Sequence, residues 1–322
     1  MPRIISFGEL LVDMVSDAEV SLASAPGFLK APGGAPANVA VGAARLGIST
    51  GFAGKVGNDP FGDWLLETVQ AENVNCDYLL QTSDARTTIA FVATREDGKK
   101  DICFYRNPGA DMLFSPNAID EKLLEGAQIF HCGSLSLSQN PCREAQFKAA
   151  RLARERGVLV SFDPNWRPSI WPDFQVAHDL IWEMMRLSDV VKVAEEEWEF
   201  VTGTDDLEIG AKKIRDAGPK LVIVTRGENG AYFNCGSTHG AVEGFTVEAV
   251  DTLGAGDAFV AGMLAQLLEY SDLDAALDET ALKKTLRFAN ACGALATMKA
   301  GAIPALPTRG EVEIFLELSL PR

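Results

Sequence analysis

Short runs of branched apolar residues alternate along the chain with longer stretches whose apolar positions recur every three to four residues. The runs Ile4–Phe7, Ala127–Cys132, Val158–Asp163, Val190–Val193 and Leu221–Thr225 are apolar almost throughout, as strands buried on both faces are. Helical spacing follows over Ala37–Leu46, Pro60–Glu72, Cys142–Arg156, Glu196–Thr202, Ala255–Glu269 and Thr285–Thr297. This alternation predicts an α/β fold, a central mostly parallel sheet sandwiched by helices. Two stretches break the rhythm. Val12–Lys30 and Thr87–Tyr105 read as hairpin or edge strands, with Glu96-Asp97-Gly98-Lys99 as a turn and no helix of useful length between Thr87 and Tyr105. They predict a small β-sheet lid, with segments at about 12–30 and 87–106, inside a single domain spanning 1–322. Gly236–Phe245 reads as a surface hairpin and nothing more.

Composition narrows the class. A chain of 322 residues, 47% apolar and 23% charged, buries a large core and has the balance of an ordinary globular protein. Its apolar stretches are interrupted well short of the ~20 residues a membrane-spanning helix needs. The N-terminus reads as a strand and turn without the apolar core of a secretory signal, so a cytoplasmic location is expected. Six scattered cysteines without a Cys-x-x-Cys pair fit reduced structural thiols. A formal charge of −16 argues against nucleic acid or an anionic membrane as partner. A phosphorylated ligand must therefore be held by local donors. His131, His178 and His239 have no metal-binding spacing.

The chemistry concentrates in Asp251-Thr-Leu-Gly-Ala-Gly-Asp257. Small residues at 254–256 before an apolar helix let the backbone turn tightly and turn N–H groups toward an anion, with the helix dipole behind them. Asp257, in the first turn, could take a proton from an attacking hydroxyl; a plain helix cap would read the same way. Gly33-Gly34-Ala35-Pro36-Ala37-Asn38 and Gly54-Lys-Val-Gly-Asn-Asp-Pro-Phe-Gly62 allow close backbone approach to a ligand, and Asn38 offers a donor and acceptors. Two ordinary turns are the alternative.

Together these segments resemble the two motifs of the ribokinase-like (PfkB) carbohydrate kinases, and the resemblance runs from Ile4 to about Pro307. It implies Asp257 as catalytic base, the amides of Gly254, Ala255 and Gly256 as an anion hole, and Asp13, Gly33, Gly34 and Asn38 as sugar ligands. Phe104-Tyr-Arg-Asn-Pro-Gly-Ala-Asp-Met112 and Phe162-Asp-Pro-Asn-Trp-Arg167 are most similar to fructokinase segments. They imply Phe104 and Arg106 on the lid side of the sugar, and Arg167 near both sugar and phosphoryl group, where a fixed guanidinium offsets developing charge.

The resemblance further implies ATP and Mg²⁺. Thr225, Gly227 and Gly230 match the nucleotide-phosphate loop, although the glycines serve a hairpin turn equally well. Asn290 matches a position beside the adenine, and Lys192 is within reach of nucleotide phosphate. The family's Asn-x-x-Glu is here Ala194-Glu195-Glu196-Glu197. Glu197 keeps the acid that organises Mg²⁺ through water, whereas Ala194 replaces the Asn. Asp251, with backbone carbonyls of 300–303, matches a K⁺ site. The implied reaction is ATP-dependent phosphorylation of fructose to fructose 6-phosphate. A 2-keto-3-deoxygluconate kinase and a catalytically silent sugar-binding regulator are the alternatives on the same fold. The exposed lid sheet, with its apolar positions, offers a surface for a homodimer.

Overall fold

Alternate residues of each buried strand pack on opposite sides of the main sheet. A computed structural model describes residues 1–96, 100–236 and 238–319. In chain order its strands are β1 (Ile4–Phe7), β2 (Leu11–Ser16), β3 (Phe28–Gly33), β4 (Thr50–Gly57), β5 (Asn75–Thr82), β6 (Ile89–Thr94) and β7 (Lys100–Tyr105). Then follow β8 (Ile129–Gly133), β9 (Leu159–Asp163), β10 (Val190–Ala194), β11 (Leu221–Thr225), β12 (Ala231–Asn234) and β13 (His239–Val242). The main helices are α1 (Ala35–Arg45), α2 (Pro60–Ala71), α3 (Cys142–Glu155), α4 (Phe174–Arg186), α5 (Glu195–Thr202), α6 (Leu207–Asp216) and α7 (Ala255–Leu267), with a further long helix at Glu279–Thr297.

The large sheet has the order β13-β12-β11-β10-β9-β8-β1-β4-β5. It is parallel from β11 to β5, and β12 and β13 close one edge antiparallel. Ile4, Ile129, Val190 and Leu221 pack into one core with α1, α7 and the 279–297 helix. Their neighbours Ile5, Phe130, Val191 and Val222 pack into the other with α3, α4, α5 and α6. The period of two along each strand thus feeds two cores and makes the strands apolar throughout. Helix α7 is buried on nearly all sides, as its apolar circumference requires. A Cβ on Gly262 would lie 2.7 Å from Cys292 Sγ, so this glycine lets α7 and the 279–297 helix approach closely and hold the start of α7 in place.

The small sheet has the order β3-β2-β6-β7. Its two hairpins are antiparallel and are joined by a parallel β2–β6 pair. Two buried carboxylates anchor its ends in the main body. Asp59 caps α2 through the Phe61 and Gly62 amides and also accepts from Thr87 N (2.8 Å) and Oγ1 (2.9 Å). Asp111 accepts from Thr88 Oγ1 (2.5 Å) and from Arg106 Nε (2.8 Å). The expected Glu96–Lys99 turn falls on 97–99, outside the described residues.

The surface hairpin expected over 236–245 is present, with an added contact. Residues His239–Val242 form the edge strand β13, paired with β12, and the Val242 and Glu243 carbonyls accept from Asn290 Nδ2 at 3.2 and 3.0 Å. It is a structural wall, because Asn290 reaches it from a helix that sequence patterning treats separately. Among the described residues no helix is long and apolar enough to cross a membrane.

Candidate active site

The parallel strands end at a cleft of about 450 Å³, the location where open α/β sheets take their ligands. The small sheet contributes Leu11, Asp13, Ala90, Val92, Ile102 and Phe104 to one wall. The ends of β8, β9 and β10 and the starts of α1 and α7 supply the rest.

Asp257 sits in the first turn of α7, buried, and accepts a hydrogen bond from Asn38 Nδ2 at 2.7 Å. Gly254 starts this helix at φ +80°, a left-handed conformation that glycine adopts without strain. The first-turn amides have no intrahelical acceptors, although Ala255 N–H leans on the Thr252 carbonyl at 3.4 Å. Burial pushes the Asp257 carboxyl up to about 6; Asn38, Lys192 and Arg167 pull it down and Asp163 pushes it up. Asp13, also buried, is pushed up to about 7, by burial first and by the charge of Asp257 second. Gly33 is required here, since a Cβ would run into the Asp13 carboxylate. Gly34 has φ +110°, and its missing Cβ leaves room for the Glu9 carbonyl.

Behind Asp257, Lys192 Nζ lies 3.1 Å from Asp163 Oδ2 and 3.4 Å from where a Cβ of Gly256 would stand. Burial pushes the ammonium down, yet Asp163 and Glu197 outweigh it and hold Lys192 above its ordinary value. Arg167 lines the cleft and donates to the Trp166 carbonyl at 3.3 Å. A compact pocket therefore gathers several buried carboxyl groups, Asp257, Asp13 and Asp163 among them, with Lys192 and Arg167 beside them.

Other expected residues stand elsewhere. Arg106 is not among the cleft-lining residues: its guanidinium is committed to Asp111, to Ser138 Oγ at 2.8 Å and to the Leu135 carbonyl at 3.3 Å. The buried Asp111 captures it before it reaches the cleft. Glu197 accepts from Ala194 N (2.9 Å) and Trp166 N (2.6 Å), capping its own helix and anchoring the Trp166–Arg167 turn. Burial and the nearby Asp163 raise its carboxyl. Thr225 pairs with Ala194 across β10 and β11, and Gly227 and Gly230, at φ +54° and +81°, turn β11 into β12. Asn290 spends its amide hydrogens on the 242–243 backbone instead of leaving them for a ligand.

Oxygen donors suited to a hard cation are present but unequal. Among the described residues no group of three His, Cys, Asp or Glu could cage a metal. Each Glu197 oxygen keeps a lone pair beyond its backbone contact, which fits a water-mediated role. Asp251 accepts from Leu253 N (2.9 Å), Gly301 N (3.0 Å) and Lys100 Nζ (3.5 Å). The Ile303 carbonyl already accepts from Arg45, and Lys100 Nζ is paired with the Asp251 carboxylate.

Three residues escaped sequence reasoning. Glu9 and Asp163 stand at or just past strand ends within the cleft, and that position was the available signal. Lys100, from β7, gave none.

The pfkB family carbohydrate kinase model matches residues 1–309. Fructokinase-2 of Solanum lycopersicum is 47% identical over 98% of this chain and 96% of its own length. The crystal structure of fructokinase with bound ATP from Xylella fastidiosa superimposes with a TM-score of 0.91, at 36% identity over 99% and 100% of the two chains. Fructokinase from Vibrio cholerae O395, in a form with fructose, ADP and calcium ion, gives 0.87, at 36% identity over 98% and 99%.

Proposed function

The chain belongs to the pfkB family of carbohydrate kinases, and from that premise we propose that it transfers the γ-phosphoryl group of ATP to fructose, giving fructose 6-phosphate. The observation that carries the reading is the buried Asn38–Asp257 pair at the start of α7, a carboxylate poised near pH 6 beside first-turn amides. The full-length similarity to fructokinases selects the sugar.

In this reading Asp13, Gly33, Gly34 and Asn38 hold the sugar under the small sheet, which acts as the lid, with Phe104 on its inner face. Asp257 takes the proton of the attacking hydroxyl as the new O–P bond forms and the bond to ADP breaks. The 254–256 amides, Arg167 and Lys192 offset the charge that develops on the transferring group. Thr225, Gly227 and Gly230 border the nucleotide, and Asn290 acts indirectly by fixing the 242–243 wall. Arg106 anchors the lid instead of touching sugar. Mg²⁺, when bound, neutralises phosphate charge, and Glu197 would hold it through water. Asp251 is the residue we assign to a monovalent cation, which would have to displace Lys100. Closing the lid excludes water and limits idle ATP hydrolysis.

A homodimer through the lid is part of this proposal. Phe28, Phe91 and Tyr105 form an edge-to-face ladder on its outer side, and Tyr105 and Leu29 are well exposed. A cytoplasmic location agrees with six unpaired thiols.

The test is ADP release with ATP, Mg²⁺ and K⁺ across fructose, 2-keto-3-deoxygluconate, ribose and adenosine. Fructose should give the highest kcat/KM. Turnover confined to the sugar acid would move the substrate, and no turnover with any acceptor would point to a silent sugar binder.

A further inference from the structure

One buried carboxyl in the cleft has no part in the scheme above. Glu9 follows β1, is 5% exposed and lines the cleft. Its Oε1 accepts from Ala35 N at 3.1 Å. Its Oε2 is buried without a hydrogen-bond partner among the described residues. A buried polar atom left unpaired costs stability, so its retention at a ligand cavity calls for a partner that arrives with the ligand. Capping α1 would need only the one oxygen.

The surroundings fix this group. The close pass of Gly34 over the Glu9 carbonyl and the Ala35 amide hold main chain and side chain together, the preorganisation a recognition group needs. The groups facing it are Arg106 and Asp111 from the return of the lid, Cys132 on β8 and Cys142 at the start of α3. Arg106 is already engaged by Asp111. Burial pushes the Glu9 carboxyl up to about 8, so near neutral pH it carries a proton. With Oε1 accepting from Ala35, that proton belongs on Oε2, the oxygen left without a partner.

We propose that Glu9 is a substrate-positioning residue whose free carboxyl oxygen hydrogen-bonds an oxygen of the bound sugar. The inference rests on the kinase reading but concerns an interaction that reading does not use. It adds a contact from the β1 end of the cleft, remote in sequence from Asp257, and fixes the orientation in which the acceptor hydroxyl meets the base.

The experiment compares wild type, Glu9→Leu and Glu9→Gln with the acceptor the wild type phosphorylates best, and with its series of monodeoxy analogues. Glu9→Leu should raise KM for the sugar about tenfold, the loss of one hydrogen bond, with kcat within about threefold and KM for ATP unchanged. Glu9→Gln, which keeps an acceptor for Ala35 and a donor for the sugar, should recover most of the loss. The Leu penalty should vanish on one deoxy analogue. A Leu variant within twofold of wild type, or a penalty equal on every analogue, would overturn the proposal. If Glu9→Leu does not fold, pH profiles decide. The sugar KM of wild type should change more between pH 7 and 9 than that of Glu9→Gln, in which the sugar ligand Asp13 still titrates but Glu9 does not; coincident profiles reject the idea. Failure of the fructose reading is distinct, since it appears in the wild type alone as absent fructose turnover.

Discussion

A carboxyl buried in the cleft with a pKa of about 6 leaves a kinetic trace. In the proposed mechanism Asp257 acts as the anion, so kcat/KM for the sugar should fall as pH drops through about 6. Asn38 donates to that anion and lowers its pKa. Asn38→Ala removes the bond and should move the acidic limb upward, by roughly one pH unit. A pH–rate series on the two proteins measures the shift. An unmoved limb would mean that some other group sets it. Asp13 shows the limit of reading residues one at a time: its pKa is raised by burial first and then by the charge of Asp257, more than 240 positions away in the chain.

At the level of elements, the small sheet is tied down by Asp59 and Asp111. The Arg106–Asp111 pair is almost wholly buried, and removing one partner leaves the other charge uncompensated. Asp111→Ala or Arg106→Ala should each cost about 3–5 kcal/mol. The double variant should cost less than the sum, as contacting residues do; chemical denaturation of the three proteins tests this. Additive losses would dissolve the clamp. The same pair marks what sequence could and could not reveal. Strands β1, β8, β9, β10 and β11 were legible because burial on both faces makes them apolar throughout. Strand β5 was not, since an edge strand exposes alternate residues. The glycine loops and Asp257 were legible because their chemistry is local. Arg106 was expected over the sugar because a segment gives neighbours in sequence, whereas its side chain is captured by Asp111 five residues on. Glu9 and Lys100 matter only through partners that folding brings to them.

Across the whole molecule, the site weighs on stability. Glu9, Asp13 and Asp257 have raised pKa values, so between about pH 4 and 8 the folded chain binds more protons than the unfolded one. Their contribution is complete below the unfolded values and is lost as pH rises through the folded ones. Asp59 and Asp251 are lowered and act oppositely, their stabilisation being lost as pH falls below about 4. A net charge of −16 adds self-repulsion on the alkaline side. Tm should therefore peak at about pH 4, where the lowered groups have ionised and the raised ones still hold their protons, and decline toward pH 9 at fixed ionic strength, a trend that a flat or rising profile would contradict. These costs fall on the cleft, where the proposed mechanism places its base, the buried Asp257. The most direct test of the account is steady-state ADP release from ATP and fructose by Asp257→Asn against wild type. The kcat should fall about 10²–10⁴-fold while KM for fructose and ATP stays within a few-fold; a kcat near that of wild type would mean that Asp257 is not the base.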